Sequence, residues 1–194
     1  NNEVKIHFTV SPEHIEFFKQ HLMSELPRYE DLFKVRYHVT FSIQKPSTDT
    51  LAVGLDGMPF RNEDGSILFR PGGHGALIEN LNDLDGDVIF IKNIDNVVPD
   101  RLKQATIDYK QVIAGLLVRV QNQIFSFLNE LEGEVSDERL ATMLAYAEQV
   151  LCIGSDEAKN MSSLDLKEYL RNKFNRPIRI CGMVKNEGEP GGGP

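Results

Sequence analysis

Residues 70–96 have the sequence RPGGHGALIENLNDLDGDVIFIKNIDN, and this stretch decides the predicted fold. A glycine-rich segment precedes a short apolar helix pattern, and the continuous apolar run VIFI at 88–91 then leads into polar residues. Continuous apolar runs of this length are typical of buried parallel strands. A loop, a helix, a strand and a second loop in this order predict one unit of a parallel α/β sheet.

The residues upstream continue the alternation of strands and helices. Residues 4–10 alternate apolar and polar side chains, and the serine, proline and glutamate at 11–13 provide a cap, a first helical residue and an early acid. We expect the helix that follows to end before Pro27. Residues 37–44 predict a second strand, and two Asp-Gly pairs within 50–69 predict a small β excursion.

The second half of the sequence is mainly helical in its pattern. Apolar spacing predicts a helix of about thirty residues at 101–132, and Ser136 caps a further helix, so 101–152 predicts a helical hairpin. A last helix is expected at 162–174, with an acid three residues after its capping serine. Residues 176–184 predict a returning strand.

Composition and charge are those of a soluble globular protein. Hydrophobic residues make up 41% and charged residues 26% of 194 residues, and the net charge of −8 argues against general affinity for nucleic acid or anionic membrane. The sequence contains neither a signal-peptide pattern nor a run of about 18 apolar residues. We therefore expect a cytoplasmic protein.

The cysteines and the two ends of the chain support further expectations. Cys152 and Cys181 match no metal-ligand spacing and predict reduced core residues. The chain begins without methionine and ends in the turn-rich sequence EPGGGP at 189–194. We expect both ends to be cuts from a longer protein, and a leader removed by processing would leave the same trace.

The glycine-rich segment at 70–75 is the first candidate site. Glycines let the backbone approach a ligand closely, and the N-terminus of the following helix offers free N–H groups to an acceptor. The same residues also fit a flexible turn between a strand and a helix, with His74 exposed.

The second candidate site is the sequence Asn-Ile-Asp-Asn at 93–96, which directly follows the predicted buried strand. Ligands bind at the carboxyl ends of strands in open α/β sheets. A carboxylate between two amides can hold Mg²⁺ through oxygen and accept hydrogen bonds from sugar hydroxyls. Asp95 and Asn96 also fit an ordinary turn that ends the strand.

Taken together, the two clusters resemble the uridine-binding and sugar-phosphate-binding stretch of UDP-sugar pyrophosphorylases. That pattern has a proline-glycine turn with Gly-His-Gly or Gly-Asn-Gly, a helix, an apolar strand and Asn-x-Asp-Asn. FSIQKP at 41–46 is similar to the family's strand that ends in a base-contacting glutamine, and HFTVSPEHIEFF at 7–18 looks like the preceding strand and helix. The resemblance covers about residues 3–100. As a whole, the chain resembles an uncharacterised bacterial family described as a domain of unknown function.

The resemblance implies specific roles for individual residues. It implies that Gly73, His74 and Gly75 contact the base and ribose of a nucleotide and that Gln44 contacts the base. It also implies that Asp95 binds Mg²⁺ with Asn93 and Asn96 near the sugar. The catalytic residues and the oligomeric state are not specified.

The resemblance also implies a fold class and a domain organisation. The class is a Rossmann-like, mainly parallel sheet of the nucleotide-diphospho-sugar transferase (GT-A-like) type, with a helical hairpin insert. Residues 1–100 would form the nucleotide- and sugar-binding core, 101–160 the hairpin, and 161–194 a returning helix and strand with a flexible tail. The family's glycine-rich, basic phosphate loop has no counterpart before Val4.

The sequence therefore leaves three functions open. The first is a nucleotidyltransferase that forms a nucleotide-sugar from a nucleoside triphosphate and a sugar 1-phosphate. The second is a non-catalytic module that binds a nucleotide-sugar, and the third is a structural domain whose hairpin makes an oligomer contact. A metal site of His7, His14 and His21 is a weaker alternative, because the spacing of the histidines is not that of a zinc-binding helix. A phosphate contact by Lys185 is also weaker, because this residue fits a solvated loop lysine.

Overall fold

The computed structural model describes residues 2–93, 97–154, 156–182 and 188. The fold is mixed α/β, about 53% helical, with a small parallel sheet of two strands. The chain forms two compact units, residues 1–91 and residues 92–194, and each is described by itself.

The first unit is built on a strand, a helix and a parallel strand. β1 (Glu3–Thr9) leads through a 3-10 turn at Pro12–His14 into α1 (Ile15–Phe33), and β2 (Arg36–Ser42) follows. The strands pair in parallel in a register that runs from Glu3 opposite Arg36 to Thr9 opposite Ser42. Both predicted strands and the helix between them are confirmed, since a parallel pair needs a crossover of this kind.

One face of the two-stranded sheet is apolar and packs against α1. The ring of Phe8 lies 4.9 Å from that of Phe18 and 6.0 Å from that of Phe41, and Phe18 and Phe41 are also 6.0 Å apart. Successive strand side chains point to opposite faces, so the alternate residues form a polar face. There, Nδ1 of His7 lies 2.8 Å from Oγ1 of Thr40.

The prediction that α1 ends before Pro27 is wrong, because Pro27 lies inside the helix. A proline within a helix removes one backbone hydrogen bond and costs about 3 kcal/mol or more. The residues after Pro27 offset this cost through contacts of their own. Glu30 accepts a hydrogen bond from the backbone N–H of Tyr37 at 2.9 Å, and the rings of Tyr29 and Phe33 stack at 6.3 Å.

The predicted β excursion is confirmed. β3 (Thr50–Leu51) and β4 (Phe69–Arg70) pair in an antiparallel manner, and isolated bridges continue the pairing between them. Its turns contain Gly57 at φ 76° and Gly65 at φ 84°, which is the left-handed region that glycine adopts without strain. The chain then enters a 3-10 turn at His74–Leu77 and the short helix α2 (Ile78–Asn82).

The predicted buried strand at 87–92 is absent, and this corrects the expectation of a mainly parallel sheet among the described residues. Phe90 is 60% exposed and Ile91 is 71% exposed. A strand is held by hydrogen bonds to a neighbouring strand, and no described residue pairs with this segment. The apolar run therefore lies on the surface.

The second unit consists mainly of three helices, α3 (Lys103–Leu131), α4 (Asp137–Gln149) and α5 (Ser163–Phe174). The long helix, the helix that follows it and the last helix are all confirmed. α5 packs against both α3 and α4. The buried apolar core comes from these helices and the 3-10 turn after α4, and its members are Val120, Ile124, Phe127, Leu131, Leu140, Met143, Leu144, Ala147, Ala158, Leu170 and Phe174.

Both predicted serine caps in the second unit are confirmed. The hydroxyl of Ser136 accepts a hydrogen bond from the N–H of Arg139 at 3.3 Å, and that of Ser162 accepts one from the N–H of Asp165 at 3.2 Å. Arg139 also forms two hydrogen bonds to the carboxylate of Glu130, at 2.7 and 2.8 Å. These bonds lower the pKa of Glu130, and they connect the end of α3 to the start of α4.

Two expectations about the second unit are wrong. Residues 176–182, the described part of the predicted returning strand, form no strand. Cys152 and Cys181 are exposed and do not lie in the core. Cys152 lies three residues after the end of α4 at φ 55°, and the next N–H, that of Ile153, donates to the carbonyl of Ala147 at 2.9 Å. Glycine is the residue most often found at such a helix end.

We expect Phe174→Ala to lower the free energy of unfolding by about 3–5 kcal/mol, because Phe174 is only 2% exposed and its ring stacks on Phe127 at 5.4 Å. Urea denaturation followed by circular dichroism at 222 nm measures this change. Leu164→Ala, on a side chain that is 77% exposed, is the control and is expected to change stability by less than about 0.5 kcal/mol. Equal effects of the two variants would contradict the assigned core.

We expect Cys152→Gly to raise the free energy of unfolding by up to about 1 kcal/mol, because glycine adopts the left-handed backbone without the steric cost of a Cβ atom. Thermal denaturation under reducing conditions measures the gain. Cys152→Ala removes the thiol and keeps the strain, so it is expected to show no gain. A stabilisation by alanine as large as that by glycine would assign the effect to the thiol.

Candidate functional site

The first candidate site lies where β2 and β4 end in the first unit. β2 leads into Gln44 and a 3-10 turn at Pro46–Thr48, while β4 leads into the glycine-rich segment that begins α2. Gln44 is half-buried, and its side-chain amide donates a hydrogen bond to Asp49 at 3.0 Å. This bond holds the predicted base-contacting glutamine in one orientation.

Gly72 brings the glycine-rich segment against the turn after β2. A Cβ atom placed on Gly72 would lie 2.8 Å from that of Ala76, 3.1 Å from the carbonyl oxygen of Thr48 and 3.7 Å from the amide nitrogen of Gln44. The first of these distances is shorter than real Cβ contacts, so a side chain would push the two segments apart. Gln44 therefore lies beside Gly72, the residue directly before the glycines predicted to bind with it.

Gly73 and Gly75 differ from Gly72 in their surroundings. A Cβ atom on either residue would have no heavy atom of the described chain within 4 Å, and neither has a positive φ angle. Both glycines are exposed, as is His74 between them. Internal packing and backbone strain thus give no reason for glycine at either position, and the backbone is open to a ligand at both.

A buried amide, which the sequence analysis did not single out, connects β2 to α2. Asn80 is 4% exposed, and its amide nitrogen donates to the hydroxyl of Ser42 at 2.9 Å and to the carbonyl of Ile43 at 2.7 Å. The Ser42 hydroxyl also lies 2.8 Å from Nε2 of His7. The amide oxygen of Asn80 has no hydrogen-bond partner among the described residues. In the sequence, the one indication of this buried amide was a polar residue within an apolar helix pattern.

A surface ion pair makes a second connection between the same two segments. The ammonium group of Lys45 lies 2.7 Å from the carboxylate of Asp83, just after α2. Both side chains are substantially exposed, so this pair contributes about 0–1 kcal/mol. The buried bonds of Asn80 are the stronger constraint.

The second candidate site is described only in part. Asn93 is half-buried and belongs to the second unit, whereas Asp95 and Asn96 lie outside the described residues, as does Lys185. Lys92 precedes Asn93, and its positive charge, after the larger effect of burial, lowers the pKa of Lys110. The start of this cluster therefore lies beside positive charge.

Two further geometric features lie in the second unit. Open depressions of about 420 Å³ and 320 Å³ are lined by residues of the helices, the larger by Glu132, Lys167 and Arg171 among others and the smaller by residues of α3. Within the described ranges, no group of three or more histidine, cysteine, aspartate or glutamate side chains is arranged to hold a metal. In that same part of the chain, no helix is long and apolar enough to cross a membrane.

Comparison with known proteins gives one match, to a family model described as "Domain of unknown function (DUF4301)", over residues 1–194. No curated protein and no solved structure matches the chain. Because the match extends over every residue of the sequence, the chain belongs to the family described as domain of unknown function DUF4301.

Proposed function

We propose that this chain carries the nucleotide-binding part of a nucleotidyltransferase that joins a nucleoside triphosphate and a sugar 1-phosphate into a nucleotide-sugar. The observation that carries the proposal is the open backbone at Gly73 and Gly75, which follow Gly72, the glycine that lies beside Gln44. The finer fold assignment, a Rossmann-like sheet of the nucleotide-diphospho-sugar transferase type, is part of the same proposal.

The glycines at 72–75 divide into two kinds, and this division supports ligand binding. Gly72 is needed because the chain passes too close to Ala76 and Thr48 for a side chain. Gly73 and Gly75 meet no such neighbour among the described residues. Glycine allows the closest approach of a ligand to the backbone, so a flat base or a ribose stacked on these peptides explains both glycines.

Gln44 and His74 supply the polar groups that such a ligand needs. The amide of Gln44 has both donors and an acceptor, as the hydrogen-bonding edge of a uracil base has. Because the amide nitrogen already bonds to Asp49, the amide has a fixed orientation before the base arrives. His74 is exposed at the start of the 3-10 turn and is free to reach a ribose or phosphate oxygen.

The second cluster completes the proposed reaction. We assign Mg²⁺ to Asp95 and the sugar to Asn93 and Asn96, because carboxylate and amide oxygens suit these two partners. Bound Mg²⁺ would supply neutralisation of phosphate charge. An oxygen of the sugar phosphate attacks the α-phosphorus, the bond to the leaving pyrophosphate breaks, and positioning of the two reactants supplies much of the rate.

We expect Gly73→Val to weaken binding of UTP or a UDP-sugar by about tenfold or more, which corresponds to about 1.4 kcal/mol, while the melting temperature stays unchanged. The added side chain meets no described atom but occupies the space above the peptide. Ligand-observed NMR measures the affinity. Gly154→Val, at another exposed glycine with open space, is the matched control and is expected to bind as the native chain does.

We expect His74→Ala to lower affinity for the nucleotide by about 5- to 10-fold, the effect of one hydrogen bond. His21→Ala, on the exposed surface of α1, is the control and is expected to have no effect. Titrations with UTP, UDP-sugars and their purine counterparts, with and without Mg²⁺, measure both variants. Absence of binding to the native chain would contradict the proposal. If the chain binds the nucleotide but does not convert triphosphate and sugar phosphate into a nucleotide-sugar, the result would support a non-catalytic binding module and contradict a transferase.

A further inference from the structure

α3 carries a narrow stripe of four exposed residues, Asp108, Val112, Gly115 and Arg119, which we call the α3 stripe. Their spacing of four, three and four residues keeps them within an arc of about 60° at about 100° per residue. The stripe has a negative charge at one end, on Asp108, and a positive charge at the other, on Arg119, with two small apolar residues between them. When a second copy of the helix runs in the opposite direction, the negative end of each stripe therefore faces the positive end of the other.

The α3 stripe is separate from the face with which α3 forms the core. The side chains that α3 buries against α4 and α5 include Val120, Ile124 and Phe127. At about 100° per residue these lie about 60° or more from the nearest member of the stripe. The packing of the three-helix core therefore does not explain Asp108, Val112 and Gly115, whereas the charge of Arg119 acts on Tyr146 of α4.

A shallow depression lies along the α3 stripe. It has a volume of about 320 Å³ and is lined by Val112, Gly115, Leu116 and Arg119. No described atom lies within 4 Å of a Cβ atom placed on Gly115, so the missing side chain leaves open space. Val112 is 67% exposed beside it, and Tyr109, on the flank of the stripe, is 72% exposed. An apolar side chain from a second helix fits this depression.

The charges at the ends of the stripe are not neutralised within the described chain. Neither Asp108 nor Arg119 forms an ion pair there, and Asp108 accepts a hydrogen bond only from the neutral amide of Gln104, at 2.7 Å. In an antiparallel pair of α3 helices, residue positions that sum to 227 lie opposite each other. Asp108 of each copy then faces Arg119 of the other, and Val112 faces Gly115.

We propose that two copies of this chain associate through the α3 stripe, antiparallel about a two-fold axis. Each contact of such an interface occurs twice, so one Asp-Arg pair and one Val-Gly contact give two of each. Glycine at the crossing lets the helix axes approach to the short end of the usual 8–10 Å. A single helix crossing buries less than the about 1,600 Å² of a standard interface, so the association is weak.

Charge reversal provides the test, measured by sedimentation equilibrium of the whole chain from about 10 µM to about 1 mM, the range suited to a small interface. Asp108→Arg and Arg119→Asp each place like charges opposite each other, and each is expected to weaken self-association about tenfold or more. An equimolar mixture of the two variants restores both ion pairs between unlike copies. We expect the mixture to form heterodimers, and the double reversal to form homodimers again.

Glu63→Arg, an equal change of charge on the exposed hairpin of the first unit, is the control and is expected to self-associate as the native chain does. A native chain that stays monomeric over the whole range would overturn the proposal. Single variants that associate like the native chain would assign the interface to another surface. Single variants that lose thermal stability as monomers, without rescue on mixing, would show that the stripe is covered within one chain.

Discussion

The candidate site depends on the buried amide of Asn80. Its two hydrogen bonds reach Ser42 and Ile43, the residues directly before Gln44, while Asn80 itself lies in α2, the short helix that follows the glycine-rich segment. The amide thus fixes the distance between two segments that are far apart in the sequence. A buried amide that loses a partner costs about 1–3 kcal/mol, so this connection resists sliding of one segment past the other. Gly72 also allows these two segments to lie in close contact, because it has no side chain to separate them.

Asn80 also extends the junction into the polar face of the sheet. The hydroxyl of Ser42 accepts a hydrogen bond from the amide of Asn80 and is also hydrogen-bonded to the ring of His7. The other ring nitrogen of His7 is hydrogen-bonded to the hydroxyl of Thr40. Chains of hydrogen bonds in partly buried surroundings hold their members in fixed positions. The carboxyl ends of both parallel strands are therefore rigid where a ligand would bind, which favours recognition of a rigid, planar group such as a base.

The sequence predicted features that depend on neighbouring residues. The serine caps at 136 and 162, the Asp-Gly turns at 57 and 65 and the alternation of β1 were predicted correctly, because each is satisfied within a few residues. The apolar run at 88–91 predicted a buried strand that is absent, since a strand also needs a pairing partner that a local pattern does not specify.

The same reasoning explains the other failures of the sequence-based predictions. Pro27 lies within α1 because contacts made after it offset its cost, and Cys152 is exposed in the left-handed backbone just after α4. The base contacts implied by resemblance for Gln44 and the glycines stay a prediction. Asn80, which connects β2 to α2, gave only a weak signal as one polar residue in an apolar helix. The role of a buried amide depends on what lies opposite it.

The net charge of −8 constrains how this chain can bind a nucleotide. A triphosphate is repelled at long range by a negative protein, so electrostatic attraction does not supply the affinity. Gln44 and the peptides of Gly73 and Gly75 are neutral, and they suit the uncharged base and ribose. The phosphates of the proposed ligand would require local positive charge of their own. For the proposed ligand, recognition of the nucleoside by neutral groups is therefore the arrangement that fits this net charge.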